Sequence, residues 1–184
     1  MQEIERVSDG KTSYNYIKED VKMIWNELRE EEFASAIEKS NKVCVIPIGC
    51  TEMHGQHLPV GTDTFEVTYV CREAAKREQV VVFPTIEFGN IPYLTDKKGS
   101  IRIRVETMQL LLTEICAEVA RNGFKKVLIV NGHGGNLALL GNFVSSTQHD
   151  KKDYVVMYRC SYLYGVRELA EDIRKGEKFP ILTK

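Results

Sequence analysis

The sequence predicts an α/β fold, a three-layer sandwich around a mostly parallel sheet. Short, continuous apolar runs alternate along the chain with longer segments whose apolar residues recur at helical spacing. Continuous apolar strands are typical of parallel sheets that are buried on both faces. A regular alternation of strand and helix indicates that helices cover both faces of such a sheet.

Four apolar runs are predicted strands, bounded by turn-forming residues such as Gly49 and Pro84. They span residues 43–48, 80–83, 127–130 and 154–158. Helical periodicity predicts helices at residues 16–28, 31–39, 65–78, 107–121, 137–148 and 164–174. The first two helices lie in a charge-rich stretch, so we expect residues 1–40 to be a helical extension of a single domain that spans residues 1–184.

The composition excludes several classes of protein. The 184 residues are 43% hydrophobic, enough for one core, and their formal net charge of −1 lacks the basic excess of nucleic-acid-binding proteins. No apolar run approaches the roughly 20 residues of a transmembrane helix, and the polar amino terminus is unlike a signal peptide. The five cysteines include no C-x-x-C pair and are predicted to be free thiols in the cytoplasm.

Two loops that follow predicted strands hold most of the histidines. Residues 49–63 read G-C-T-E-M-H-G-Q-H-L-P-V-G-T-D, and residues 131–136 read N-G-H-G-G-N. Three of the four histidines, His54, His57 and His133, lie in these loops. Because the chemistry of α/β folds lies beyond the carboxyl ends of the strands, the two loops are the predicted functional site.

Glu52, His54, Asp63 and His133 are the candidate metal ligands. Glu52 and His54 are two residues apart, so in an extended stretch their side chains point the same way. Imidazole combined with carboxylate suits zinc, manganese or ferrous iron better than calcium or magnesium. Asp63 closes the first loop and is the candidate to bridge two ions, so one or two divalent ions per chain are predicted.

Other interpretations of these loops stay open. Asp63 could cap the following helix, His57 could lie on the surface or orient a ligand, and we expect His149 to be solvated. Cys50 with His54 or His57 could form a nucleophile and its base, although no basic cluster precedes the thiol to activate it. The glycine-rich second loop could bind phosphate, although it lacks G-x-G-x-x-G and G-x-x-x-x-G-K.

The two loops resemble the motifs of a known family. I-P-I-G-C-T-E-M-H-G-Q-H-L-P-V-G-T-D, at residues 46–63, resembles one motif of the creatininase (creatinine amidohydrolase) family. V-L-I-V-N-G-H-G-G-N, at residues 127–136, resembles its second motif, and Gly99-Ser100 resembles its substrate loop. The similarity covers about residues 30–165, with the motifs in the family's order.

The resemblance implies a creatininase-like fold and a hydrolase with two divalent metals that acts on a cyclic amide or a related C–N bond. In the family pattern Glu52 and His133 would bind one ion, His54 would bind the other, and Asp63 would bridge them. Ser100 would contact the small-molecule substrate, and no catalytic residue is assigned. The family pattern also implies a homo-oligomer, with hexamers among its members.

The sequence departs from the family pattern at several positions. Creatininase has an acid two residues after the N-G-H histidine, where this chain has Gly135, and members with N-G-H-G-G-N have a later glutamate in a segment like H-A-G-x-x-E-T-S. Residues 166–184 lack that segment, so we expect the family's carboxyl-terminal portion to be absent. Trp25 is the only tryptophan, so those that close over creatinine have no counterpart. We expect a substrate other than creatinine, or a truncated or degenerate member with a structural or interaction role.

Overall fold

Four parallel strands form one sheet. A computed structural model describes residues 23–94 and 96–162 of the chain. Within these residues, the order across the sheet is β2-β1-β3-β4 and every neighbouring pair is parallel. The strands are β1 (Val43–Ile48), β2 (Val81–Val82), β3 (Lys126–Asn131) and β4 (Val155–Cys160). The predicted parallel sheet is confirmed, and all four strands overlap the predicted runs.

Helices connect and cover the strands. They are α1 (Glu30–Lys39), α2 (Thr62–Arg77), α3 (Val105–Arg121) and α4 (Leu137–Ser146). Helix α2 begins three residues before its predicted start, because its first turn is polar and carries no apolar periodicity. The helix predicted at residues 164–174 lies outside the described residues. Among residues 23–94 and 96–162, no helix combines the length and apolarity that a membrane span requires.

The described part of the predicted helix at residues 16–28 is not a continuous helix. Ile24 instead pairs with Val82 in a parallel bridge, and Trp25–Glu27 form a single 3-10 turn. The indole of Trp25 then packs edge-on against Phe33, with ring centroids 4.9 Å apart. Sheet pairing and aromatic packing therefore determine the path of this segment, and the prediction of a helix was wrong here.

Residues of the central strands alternate between two apolar clusters. In β1, Cys44, Ile46 and Ile48 belong to a large cluster that also contains residues of α1, α3 and α4. Val45 belongs to a smaller cluster with Val67 of α2. Because successive side chains of a strand point to opposite faces, α2 covers one face of the sheet and the other three helices cover the second. The three-layer sandwich is confirmed.

The strand order places a crevice between β1 and β3. The chain leaves β1 through α2 to β2 on one side, and later returns through α3 to β3 on the other side. The last pair in the register of these strands is Ile48 with Asn131. The loops that follow both strands therefore begin side by side, at a topological switch point of the kind where α/β proteins bind ligands.

Phe124 provides a test of the larger core. Its side chain is fully buried, and its ring centroid lies 5.5 Å from that of Trp25. Phe124→Ala is expected to lower the free energy of unfolding by about 3–5 kcal/mol, because it removes apolar contacts and leaves a cavity. Urea denaturation would measure the loss. Leu110→Ala, at a position 65% exposed, is the control and should change stability by less than about 0.5 kcal/mol. Equal losses would contradict this description of the core.

Candidate metal centre

The loop between β1 and α2 folds back on itself. The backbone N–H of Glu52 donates to the carbonyl of Val60, with a distance of 2.9 Å, and His54 forms an antiparallel bridge with Leu58. This short ladder directs Glu52 and His54 towards the crevice. The loop then enters α2, whose first turn carries the buried carboxylate of Asp63.

Asp63 lies between the two histidines. Its Oδ1 is 2.9 Å from Nε2 of His54, and its Oδ2 is 2.8 Å from Nδ1 of His133. The same Nδ1 of His133 is 3.2 Å from Oε1 of Glu52. The structure therefore brings together all four predicted ligands, with one carboxylate shared between the two rings.

In each histidine ring, the outer nitrogen, which is the one that faces away from Asp63, lies within hydrogen-bonding distance of a backbone carbonyl. Nδ1 of His54 is 3.1 Å from the carbonyl oxygen of Glu52, and Nε2 of His133 is 3.1 Å from that of Asn90. A carbonyl oxygen only accepts hydrogen bonds, so each outer nitrogen carries a proton and donates it. The inner nitrogens, which face Asp63, could then hold a metal ion, since an outer hydrogen bond of this kind orients ligating histidines in known metal sites.

The acidic groups around His133 favour a positive charge at this place. Burial alone would lower the pKa of His133, but hydrogen bonds with Asp63 and Cys50, together with the charges of Cys50 and Glu52, outweigh burial and raise it to about 10. The ring is therefore protonated at neutral pH when no cation is bound. A metal ion would take the place of that proton, because a ligating imidazole must be neutral.

The donor atoms fit a divalent ion of intermediate softness. Two groups each have all their donor atoms within 4.8 Å of one another: Cys50 with Glu52 and His133, and Glu52 with His54 and Asp63. Glu52 belongs to both groups, so the two positions are adjacent. Imidazole, carboxylate and thiol together suit zinc or iron, and imidazole with carboxylate also suits manganese.

A cavity of about 640 Å³ opens above these ligands. Glu52, His54, Asp63 and His133 form its polar floor. The remaining walls are apolar side chains, two tyrosines and backbone, contributed by Ile91, Pro92, Tyr93, Leu94, Gly132, Gly134, Gly135 and Tyr162. A cavity with an apolar wall and a few convergent polar groups is typical of a small-molecule site.

The remaining predicted residues lie outside this cavity. Ser100 Oγ accepts a hydrogen bond from the backbone N–H of Met53, with a distance of 3.0 Å, so it supports the ligand loop from behind. Its contact with substrate stays a prediction. His57 and His149 are both exposed. Gly61, and not Asp63, is the N-cap residue of α2, so the interpretation of Asp63 as a cap was wrong.

The structure does not favour the two rival chemistries. Cys50 is fully buried and absent from the cavity wall, and the imidazole beside it is His133 and not His54 or His57. The nucleophile and base considered from the sequence therefore do not form that pair. Phosphate would face the carboxylates of the cavity floor, which repel anions.

Asn131 and Asn136, at the two ends of N-G-H-G-G-N, are site residues that the sequence analysis missed. Both are fully buried. Nδ2 of Asn136 donates to Oδ1 of Asn131 at 3.2 Å, and Nδ2 of Asn131 donates to the carbonyl of His133 at 2.8 Å. The sequence did contain a signal for them, because an asparagine stands at each end of the glycine-rich loop.

Gly135 occupies a position that has no room for a side chain. A Cβ atom there would lie 2.2 Å from the carbonyl oxygen of Asn90 and 2.4 Å from Nε2 of His133. The acid expected here from the family pattern could not be accommodated in the present arrangement. The absence of a side chain at Gly135 therefore leaves room for the contact between His133 and Asn90. Gly135 is not simply a position from which a ligand is missing.

Residues 26–180 match the family model of creatinine amidohydrolase. Among curated proteins, the chain is 32% identical over 130 residues to the mycofactocin precursor peptide peptidase of Mycobacterium tuberculosis H37Rv, covering 65% of this chain and 51% of the relative. It is 27% identical over 118 residues to the creatinine amidohydrolase of Pseudomonas putida, covering 60% and 44%. The chain thus spans about half the length of the curated relatives it matches.

The fold is similar to that of creatininase. The crystal structure of creatinine amidohydrolase superposes with a TM-score of 0.75 at 20% identity, covering 86% of this chain and 65% of the other. A Zn-Zn form of a variant of that enzyme and a Mn form also superpose with TM-scores of 0.75. At this level of identity, the likeness shows the shared fold.

Gly135 and Gly134 offer a matched test of the centre. Gly135→Ala is expected to weaken zinc binding by about 10–100-fold, because the methyl group must displace Asn90 and break the hydrogen bond that orients His133. A Cβ atom at Gly134 would meet only the Tyr162 hydroxyl, at 3.5 Å, so Gly134→Ala should bind zinc almost normally. Competition with a chromophoric chelator would measure both affinities. The same affinity in the two variants would contradict the role given to Gly135.

Proposed function

The chain belongs to the creatininase family, and on that basis we propose that it is a metal-dependent hydrolase of C–N bonds in cyclic amides or related small molecules. The observation that carries the proposal is the carboxylate of Asp63, shared between the inner nitrogens of His54 and His133. When bound, divalent ions there would polarise a substrate carbonyl and generate a nucleophile by lowering the pKa of water to about 7. Zinc and manganese are the first candidates, because the solved structures include a Zn-Zn form of a creatininase variant and a Mn form of creatininase.

The residues of the chain would bind and orient the substrate. The apolar wall, which includes Ile91 and Tyr93, would exclude water from one side of it. Burial, followed by the charges of Cys160, Asp63 and Glu66, raises the pKa of Tyr162 above its usual value. The Tyr162 hydroxyl therefore keeps its proton at neutral pH and can donate a hydrogen bond to a substrate oxygen.

We propose that the substrate is not creatinine. Two relatives are a peptidase and a creatinine amidohydrolase, so related chains act on different amides. Trp25 packs in the core against Phe33 and Phe124, on the opposite side of the central strands from α2. It does not line the cavity, so within the described residues no indole covers a substrate there.

We also propose a cytoplasmic homo-oligomer, with the hexamer as the first arrangement to test. All five cysteines are free and buried, which suits a reducing compartment. On α2, Phe65 and Tyr69 are one helical turn apart and are 63% and 67% exposed. Such large apolar side chains, adjacent on one helix face, are typical of surfaces that are covered in an assembly.

The two metal positions are expected to differ in affinity. An ion at His133 would have Glu52 and Asp63 beside it, whereas an ion at His54 would gain no ligand from Gly135. Zinc titration of protein purified without a histidine tag should show one tight and one weak site. The double variant Asp63→Ala/His133→Ala should lose the tight site.

Two tight, equivalent sites would contradict this expectation and would indicate a further ligand, first to be sought in a neighbouring subunit. Unchanged metal content in the double variant would contradict the ligand assignment itself. His149→Ala, which removes an exposed histidine, is the matched control and should bind metal like the unmodified chain.

Hydrolysis should require bound metal, and the nucleophile should not be a thiol. We expect a chelator to abolish the turnover of a panel of cyclic amides and formamides, and zinc or manganese to restore it. Release of the free amine or acid would be followed by mass spectrometry. Turnover that is indifferent to the chelator would contradict the proposal. No turnover with any metal would favour a degenerate member of the family with a structural or interaction role.

A further inference from the structure

We propose that Cys50 supplies a thiolate ligand to the ion at His133, which makes this the softer of the two metal positions. The inference rests on the proposed function, since it takes a metal centre at this place. Cys50 follows Gly49 at the end of β1 and is fully buried. Its Sγ lies in one group with a carboxylate oxygen of Glu52 and a ring nitrogen of His133, all within 4.8 Å of one another.

The dimensions of this group suit a single ion. Bond lengths of about 2.3 Å to sulfur and 2.0–2.1 Å to nitrogen place the two ligand atoms of a tetrahedral zinc ion about 3.6 Å apart. The separation of Glu52 Oε1 and His133 Nδ1, 3.2 Å, is already close to that of two ligands on one ion. Small side-chain adjustments would therefore bring all three atoms into coordination distance.

The surroundings of Cys50 differ from those of Cys71 and Cys116. Burial raises the pKa of Cys71 and of Cys116 to about 12, so each keeps its proton among apolar side chains. Within the described residues, Cys50 is the one cysteine that shares a group of possible metal ligands with a histidine and an acid. A cation there would form a metal–sulfur bond, and the S–H proton would leave to solvent.

A thiolate ligand from Cys50 would give the two metal positions different roles. With Asp63 added, the ion at His133 would have four protein donors, which is the closed arrangement of a structural zinc site. The position at His54 has fewer protein donors and would keep places open for the substrate. Because thiolate is a soft ligand, the closed position should prefer zinc or iron to manganese.

Cobalt(II) provides a direct spectroscopic test. The cobalt-loaded chain should show the intense near-ultraviolet charge-transfer band of a thiolate–cobalt bond. X-ray absorption of the zinc-loaded chain should show one sulfur neighbour at about 2.3 Å. Cys50→Ser should lose the band and bind zinc at least about 10–100-fold more weakly, the range found when supporting residues of metal sites are lost. Its manganese affinity should change much less.

Cys71→Ser, at another buried cysteine, is the matched control and should keep both the band and the zinc affinity. Cobalt binding without the band, or a zinc shell without sulfur, would overturn the inference and leave the proposed metal centre standing. No binding of cobalt or zinc would overturn both. If Cys50→Ser fails to fold, two other measurements test the inference. They are the sulfur neighbour of zinc in X-ray absorption of the unmodified chain, and the charge-transfer band of cobalt-loaded Cys71→Ser.

Discussion

The buried side-chain amide of Asn136 joins three segments that are far apart in the sequence. Its Oδ1 accepts from the backbone N–H of Asn90 at 2.8 Å, and its Nδ2 donates to the carbonyl of Gly49 and to Asn131. Leaving such a buried group unpaired costs about 1–3 kcal/mol, so the amide strongly favours one arrangement of the three loops. The positions of Cys50, of His133 and of the carbonyl that orients His133 all follow from it.

The sheet provides the second constraint, because it decides which loops meet. Strands β1 and β3 are neighbours although α2, β2 and α3 lie between them in the chain. Asp63 begins α2 close to the end of β1, whereas His133 comes 70 residues later and still lies 2.8 Å from it. The shared carboxylate is therefore a product of the crossover topology together with a short, folded loop.

The features that depend on local sequence pattern could be predicted from the sequence alone. Continuous apolar runs predicted the strands, and the spacing of Glu52 and His54 predicted that both side chains point towards one site. Patterns of this kind could not predict the bridge of Ile24 to β2, because the segment also packs Trp25 against Phe83 and Phe124, which are distant in the sequence. The pairing of Cys50 with His133, and the bonds of Asn136, likewise arise only after the strands are in register.

The lack of space at Gly135 limits how such a centre could evolve. An acid introduced there on its own would first collide with Asn90 and with His133, so it would damage an existing ligand before it could act as a new one. The loop that carries Asn90 would have to shift in the same lineage for the change to be useful. A shift of that loop on its own would remove the carbonyl that accepts from Nε2 of His133. Two changes that are each unfavourable alone and compatible together are an example of reciprocal sign epistasis. The two ligand arrangements, with glycine or with an acid at this position, would therefore exchange only through coupled changes at Gly135 and in the loop that carries Asn90.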